Sequence, residues 1–158
     1  MQNGTAIVRV AEPGDKAGIF ALLKACADEI PVGLDGDEGV GRFAELIDRW
    51  CQNGPSFVAV ADGRIVGFLS TSPFLQPDER KLEYGGVASD YRLRGIFPRM
   101  LDEAKAISVR LDAIVKDANK SGMADRLKAF GFSDLGVTII ADEHAFRWIR
   151  LDLAPQHA

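Results

Sequence analysis

The sequence contains few of the residues that build disulfides and metal sites. It has two cysteines and two histidines among 158 residues. Cys26 and Cys51 both fall within helical patterns, and their spacing is not that of a metal site. His144 and His157 have no partner at the spacing of a nucleophile or a metal ligand. We therefore expect two free thiols in the core, no disulfide and no metal.

Long apolar runs and an excess of basic charge are also missing. No segment approaches the ~18 apolar residues that a membrane helix needs. The first residues, 1–5, lack a basic region followed by an apolar one, so no secretory signal is expected. A net charge of −4 argues against a broad nucleic-acid surface, although it permits a local basic pocket for a small anion. These absences predict a cytoplasmic protein without a membrane or nucleic-acid partner.

The composition that remains is that of a globular domain. Hydrophobic residues make up 47% of the chain and charged residues 27%. The chain is long enough for a real core, and no repeat, low-complexity tract or linker divides it. We expect one domain over residues 1–158, with frayed ends at 1–5 and 154–158.

Apolar periodicity predicts strands and helices in the order β-α-α-β-β-β-α-β-α-β-β. Asp62-Gly63, between two apolar runs, is a strong hairpin signal, and Asp15 is expected to cap the first helix. The polar stretches 28–38 and 73–80 are expected to be connections. The predicted strands cover residues 7–10, 57–61, 64–70, 81–87, 113–115, 137–140 and 146–151.

The stretch from Tyr84 to Met100 organises the rest of the chain. It is predicted to form a strand, a basic glycine-bearing turn and a helix that begins close to Gly95, because apolar residues then recur at helical spacing. The first amides of a helix have no partner within it and lie at the positive end of its dipole. Such a strand-turn-helix can hold a phosphate, and it can equally be an ordinary tight turn with solvated arginines.

Three features together resemble the GNAT superfamily of acyl-CoA-dependent N-acetyltransferases. The first is the run from Val87 to Ile96, which is similar to the family's strand and R-x-x-G-x-G/A pyrophosphate loop. The second is Asn119, followed by a short amphipathic helix and Phe130-Gly131-Phe132. The third is the Asp62-Gly63 hairpin with Val66-Gly67-Phe68 after it. The resemblance covers nearly the whole chain.

The resemblance implies an α/β (α+β) fold. Its sheet would be mixed, mostly antiparallel and six- to seven-stranded, with about four helices on its faces, and it would be splayed around the fourth strand. The splay would leave backbone groups of that strand free to pair with the pantetheine amides of an acyl-CoA. Gly85, Gly86 and Val87 fit that role, because glycine marks places where another backbone approaches closely. A plain bulge at the two glycines is the other interpretation.

The resemblance also implies acetyl-CoA as co-substrate, with no metal, and a set of residues that would hold it. Arg92 and Arg94 would add charge beside the diphosphate, and Asn119 matches the family's asparagine. The backbone amides that would hold the diphosphate belong to Leu93, Arg94, Gly95, Ile96 and Phe97.

Two positions depart from the family's pattern. The loop usually ends in glycine or alanine, and Phe97 stands there instead; its side chain can turn into the core while its amide still faces the phosphate. Many members carry a general-acid tyrosine in the last short helix, but that position is Leu127 or Arg126 here. Ser121 and Tyr91 are weaker candidates for the acid.

Acyl transfer from a thioester to an amine requires that the protein position the reactants, keep the amine neutral and stabilise the oxyanion. Glu83 is the candidate base, since the two-residue period of a strand would place it on the face of Gly85 and Val87 and turn Tyr84 to the opposite face. A surface or salt-bridged glutamate is an equally good interpretation. The backbone amide of Val87 or Ala88 is the candidate for polarising the thioester carbonyl.

The acceptor is expected beside the acidic stretch that joins the first two helices. The resemblance implies that this region lines the acceptor side, where Asp35, Asp37 and Glu38 would steer a cationic amine of a small molecule or a peptide. A solvated acidic loop is the plainer interpretation. A homodimer through the apolar final strand is also compatible with the sequence.

Three functions follow from the sequence. The first is an N-acetyltransferase that moves an acetyl group from acetyl-CoA to a primary amine by direct transfer in a ternary complex. The second is an inactive domain of the same fold that binds CoA or another ligand as a sensor or assembly module. The third is a structural domain without an acyl-CoA site.

Overall fold

The chain forms a seven-stranded sheet with four helices in the computed structural model, which describes residues 5–26, 36–53, 55–116, 123–141 and 144–153. Within these ranges the side chains of residues 36–40, 42, 43, 50, 53, 77, 116 and 144 are not described. The strands are β1 (Ile7–Val10), β2 (Phe57–Ala61), β3 (Arg64–Phe74), β4 (Gln76–Val87), β5 (Arg110–Lys116), β6 (Ser133–Ala141) and β7 (His144–Asp152). The helices are α1 (Lys16–Ala25), α2 (Gly36–Asn53), α3 (Ile96–Ala106) and α4 (Met123–Ala129).

The sheet has the strand order β1-β2-β3-β4-β5-β7-β6. Every neighbouring pair is antiparallel except β4 and β5, which are parallel. The predicted hairpin between β2 and β3 is confirmed. Asp62 and Gly63 have φ values of 52° and 75°, as the tightest hairpin turns require. The predicted mixed, mostly antiparallel fold class is confirmed.

The connection predicted at residues 73–80 is wrong. β3 continues to Phe74 and β4 begins at Gln76, so only Leu75, at φ 63°, separates the strands. The early part of β4 gains a second partner, because residues 80–82 pair with β5 as well as with β3. Hydrogen bonding on both sides outweighs the poor strand propensity of the charged residues in this segment.

The start of α2 and the role of the Asp15 side chain differ from the prediction. α2 begins at Gly36, so the expected acidic connection ends before residue 36 and not at residue 38. Asp15 precedes α1 but its side chain makes no capping bond. Its carboxylate instead accepts bonds from the Arg9 guanidinium at 2.7 and 2.8 Å and from the Glu12 amide at 2.8 Å. These bonds join β1 to the turn that precedes α1.

Apolar clusters cover both faces of the sheet. On one, here called the α1 face, side chains of α1 and α2 pack on β2 and β3, with Phe68 at the centre. On the other, the α3 face, α3 and α4 pack on the central strands. Gly67 is required for this second contact, since a Cβ there would lie 3.0 Å from Ile96 Cγ2 and 3.1 Å from Met100 Cε. α3 therefore lies close against β3, which fixes where the helix begins.

Neither cysteine forms a disulfide: Cys26 lies in the core and Cys51 is half-buried. None of the helices in the described ranges combines the length and apolarity that crossing a membrane would take.

We expect Asp15→Asn to lower the free energy of unfolding by about 1 kcal/mol at neutral pH. The bond to Arg9 is the main cause that lowers the pKa of Asp15 below its usual value of 3.8. The stabilisation is therefore complete above about pH 4 and is lost as the pH falls through the lowered pKa of the folded state. Urea unfolding of both proteins at several pH values measures the difference. Asp102→Asn, at an exposed site on α3, is the control, and an equal loss in it would contradict the assignment.

Candidate active site

A loop of residues 88–95 joins β4 to α3. It makes a short 3₁₀ turn at Ser89–Tyr91 and reaches Gly95, the N-cap of α3, which has a φ of 76°. Ile96 and Met100 are buried against the sheet, so the first turn of α3 is anchored from below. The predicted helix start close to Gly95 is confirmed.

The amides that begin α3 have no side-chain cap among the described residues. Gly95 offers no side chain, and none of the described side chains caps the helix. A Cβ built on Gly95 would have no atom within 4 Å, and Leu93 and Arg94 are exposed. The N-terminus of α3 is therefore accessible to an anion, and its dipole favours one.

Tyr91 fixes this loop to the β2–β3 hairpin. Its hydroxyl donates to the carboxylate of Asp62, a bond that raises the pKa of Tyr91. The guanidinium groups of Arg64 and Arg94 lie 5.3 and 5.0 Å from the centre of its ring. The sequence suggested Tyr91 only as a weak candidate acid, but in the structure its hydroxyl serves to position the loop. No local signal pairs Tyr91 with Asp62, because the two lie on different loops.

The two arginines of the motif differ in position. Arg94 is exposed and lies against the Tyr91 ring. Arg92 Nε donates to the Val87 carbonyl at 3.0 Å, and an Arg92 Nη atom lies 3.9 Å from Cys26 Sγ. Arg92 therefore reaches back to the end of β4 and the end of α1, so the two guanidinium groups are on different sides of the loop.

β4 and β5 separate part-way along their length. They pair only over Glu79–Leu82 and Arg110–Ala113 in the described structure. Beyond these residues β4 keeps β3 as its partner and β5 keeps β7. The predicted splay around the fourth strand is confirmed, and it opens towards the N-terminus of α3.

The end of β4 presents backbone groups to this opening. The Ala88 amide donates to the Val66 carbonyl on β3 at 2.8 Å. Because successive backbone groups of a strand point to opposite sides, the amide and carbonyl of Val87 point away from β3, into the gap. Of the two amides proposed to polarise the thioester carbonyl, that of Ala88 is already bonded to β3, whereas that of Val87 points into the gap.

A bulge breaks the two-residue period of β4. Thr71 of β3 pairs with Leu82, whereas Leu69 pairs with Gly85. Glu83 and Tyr84 therefore both stand opposite Ser70, whose hydroxyl accepts a bond from the Tyr84 amide at 3.0 Å.

The bulge changes which side chains share a face. Glu83 bonds to Ser72 and Tyr84 packs in the cluster of the α1 face. Val87 belongs to the α3 face, and a Cβ on Gly85 would point there too. The predictions that Glu83 shares a face with Gly85 and Val87, and that Tyr84 opposes it, are therefore wrong. The extra residue shifts the alternation by one.

Glu83 is a partly accessible carboxylate. Its Oε1 accepts a bond from Ser72 Oγ at 2.6 Å, its Oε2 lies 3.8 Å from Lys81 Nζ, and its side chain is 25% exposed. Burial, and secondly the charge of Glu83, raise the pKa of the neighbouring Tyr84. Tyr84 therefore keeps its proton at neutral pH. The alternative interpretation of Gly85-Gly86 as a plain bulge is wrong in position, because both glycines pair regularly with Leu69 and Phe68 and the bulge lies at Glu83 and Tyr84.

Phe97 turns into the core, as expected for a bulky residue at the end of the loop. It packs against Phe130 with 6.0 Å between ring centres. A Cβ on Gly85 would lie 3.1 Å from Leu69 Cδ1 and 3.4 Å from Phe97 Cε2. The glycine on β4 therefore makes room for Phe97, and this steric role is one that the sequence did not reveal.

The position of the family's usual acid carries no hydroxyl. Leu127 is buried in the core, and the guanidinium of Arg126 lies 5.2 Å from the centre of the Phe97 ring. Asn119, Ser121 and Asp35 fall outside the described residues.

Asp37 and Glu38 lie in the first turn of α2, and their side chains are not described. The described residues thus leave the acidic acceptor region as a prediction. Among all the residues that the structure describes, no group of three His, Cys, Asp or Glu side chains could hold a metal ion.

Comparison with known proteins places this geometry in a family. Residues 21–132 match the model of the acetyltransferase (GNAT) family. No curated protein matches the sequence significantly.

Solved structures of acetyltransferases share the fold. An aminoglycoside 6′-N-acetyltransferase in complex with coenzyme A is 14% identical with a TM-score of 0.74, covering 96% of this chain and 99% of its own. The ribosomal-protein-S18-alanine N-acetyltransferase from Escherichia coli is 16% identical with a TM-score of 0.68, covering 97% and 98%. yncA from Salmonella typhimurium, solved with its cofactor acetyl-CoA, is 14% identical with a TM-score of 0.69, covering 98% of both chains. At these identities the likeness concerns the fold alone.

The loop contains one strained residue whose replacement tests the backbone. Leu93 has a φ of 62° and a fully exposed side chain, so it has the strain of the left-handed region without a packing gain. We expect Leu93→Gly to raise the free energy of unfolding by about 0.5 kcal/mol and Gly95→Ala to lower it by about 1 kcal/mol. Chemical denaturation measures both free energies of unfolding. If the two substitutions changed this free energy in the same direction, the assignment of strain to Leu93 would be wrong.

Proposed function

Since the chain belongs to the GNAT family of acetyltransferases, we propose that it transfers an acetyl group from acetyl-CoA to a primary amine, directly within a ternary complex. The supporting observation is the open N-terminus of α3 beside the gap between β4 and β5. One opening thus combines an anion site with unpaired strand backbone. A diphosphate joined to an amide-bearing chain requires both.

The binding roles follow from these positions. The amides of residues 93–97 would hold the diphosphate, with Arg94 adding charge from the exposed side. The Val87 carbonyl would accept a bond from a pantetheine amide, for which Arg92 must release it. Asn119 is the further cofactor-binding residue of the proposal.

The catalytic roles belong to two groups of β4. When bound, acetyl-CoA supplies an activated thioester. The Val87 amide would stabilise charge on its carbonyl oxygen, as an oxyanion donor does. Glu83 would take the proton of the amine through a water, because it lies on the α1 face and reaches solvent. Asp35, Asp37 and Glu38 would attract the cationic acceptor from the same face.

A second candidate is a catalytically inactive domain that binds CoA. Its supporting observation is the lack of a hydroxyl at Leu127 and Arg126, where many members carry their acid. Release of free thiol with a panel of amines distinguishes the candidates, because a binding module would hold CoA and release none.

Gly95→Asp tests the diphosphate site. A carboxylate at the N-cap repels a diphosphate, so we expect the rise in melting temperature with acetyl-CoA to disappear. Gly136→Asp is a matched control, since Gly136 also has a positive φ, of 73°, and free space around it. If neither acetyl-CoA nor CoA shifts the melting of wild type, the proposed function is wrong.

Glu83→Gln tests the base. We expect kcat/KM for amine acetylation to fall by about 100-fold while acetyl-CoA still raises the melting temperature. The control is Glu103→Gln, at an exposed position on α3. Turnover by the Glu83 variant at the wild-type rate would remove the base assignment and leave the transferase assignment standing.

A further inference from the structure

Two carboxylates in the sheet each have one oxygen for which the described residues provide no donor. Asp112, on β5, is 0% exposed; its Oδ1 accepts bonds from Trp148 Nε1 and Arg150 Nε, both at 2.8 Å. Glu79, on β4, is 7% exposed, and its Oε1 lies 3.3 Å from Arg110 Nη2. Asp112 Oδ2 and Glu79 Oε2 have no donor among the described residues. Buried carboxylate oxygens are nearly always bonded, so two such atoms require a cause.

The two carboxylates lie on the same face as Glu83. Glu79 pairs with Arg110, and Lys81 pairs with Asp112. Glu79 and Asp112 are thus diagonal neighbours on adjacent strands, with Cα atoms about 8 Å apart. Strand β4 alternates regularly from Glu79 to Glu83, before the bulge, so all of these side chains point to the α1 face. This is the face on which the proposed base would meet the acceptor.

The surrounding side chains already hold cations against aromatic rings. Phe74 and Trp148 meet edge to face at 5.8 Å. Lys81 Nζ lies 5.8 Å from the Phe74 ring centre, and the Arg150 guanidinium lies 5.5 Å from that of Trp148. Such an arrangement of rings and carboxylates suits a cationic ligand.

The charges of this surface leave room for one more cation. Three bases face four acids, which leaves a net charge of −1: the bases are Lys81, Arg110 and Arg150, and the acids are Glu79, Glu83, Asp112 and Asp152. Both atoms that lack a partner are acceptors, so the missing group is a donor. An ammonium group would supply the hydrogen bonds and also the charge.

We propose that Asp112 and Glu79 bind the second ammonium group of a diamine or polyamine acceptor, whose first amine is acetylated beside Glu83. The inference rests on the proposed function for the identity of the first amine. Lys81 pairs with Asp112 across the two strands, and Arg150 bonds to Asp112. Their side chains are 26% and 21% exposed and would move aside to admit the ligand. Asp112 stands beside Lys81, and Glu83 is two residues further along β4. The positions of Asp112 and Glu83 are therefore about 7 Å apart along the strand direction, a distance that a short alkyl chain spans.

The kinetic test compares amines that carry a second ammonium group with one that does not. We expect wild type to acetylate putrescine and spermidine with a kcat/KM about tenfold or more above that for butylamine. Asp112→Asn and Glu79→Gln should each lower this ratio about tenfold, and Asp102→Asn should leave it unchanged. If Asp112→Asn does not fold, the proposal is tested by the wild-type ratio of kcat/KM values and by its change in Glu79→Gln. A wild-type ratio close to one, or a ratio that neither variant changes, would overturn the proposal.

Calorimetry separates this inference from the proposed function. Spermidine is expected to bind wild type in the absence of acetyl-CoA, and to bind Asp112→Asn and Glu79→Gln more weakly. If that binding occurs but no amine is acetylated, the ammonium site stands and the transferase proposal fails. Acetylation of amines without any spermidine binding would leave the transferase proposal and overturn the ammonium site.

Discussion

The constraint on which the site depends is the separation of β4 from β5. A strand in the middle of a sheet normally has both edges paired, because unpaired backbone groups away from water are costly. Among the described residues β4 loses β5 beyond Leu82 and keeps β3, so no strand pairs with one edge of its last residues while β3 holds the other edge in register. On the edge that β5 leaves, the Val87 carbonyl is bonded to Arg92. The strand is thus rigid enough to position a ligand and unpaired enough to bind one.

The proposed anion site depends on contacts outside its own loop. Gly67 lets α3 lie against β3, and Tyr91 ties the loop to Asp62 in the neighbouring hairpin. The N-terminus of α3 is therefore fixed relative to the end of β4 from below and from the side. The amides at the start of α3 and the Val87 amide therefore keep a fixed position relative to each other, because β3 and the β2–β3 hairpin hold both the helix and the end of β4.

The parts of the molecule that local chemistry determines could be predicted from sequence. The Asp62-Gly63 turn and the start of α3 at Gly95 each follow from a few adjacent residues. The faces of Glu83 and Tyr84 could not be predicted, because they depend on a bulge set by pairing with β3. The surroundings of Asp112 depend on β7, whose Trp148 and Arg150 come 36 and 38 residues later in the chain.

Phe97 shows how a departure from the family's pattern can be accommodated. A bulky residue at the end of the loop would obstruct the site if its side chain lay in the opening. It lies instead beneath β4, in space that Gly85 leaves by lacking a Cβ, and Phe130 and Arg126 cover its other sides. The amide of Phe97 depends only on the helical backbone, so the change of side chain leaves the N-terminus of α3 intact. The substitution is therefore absorbed by the core, and it removes no donor from the proposed diphosphate site.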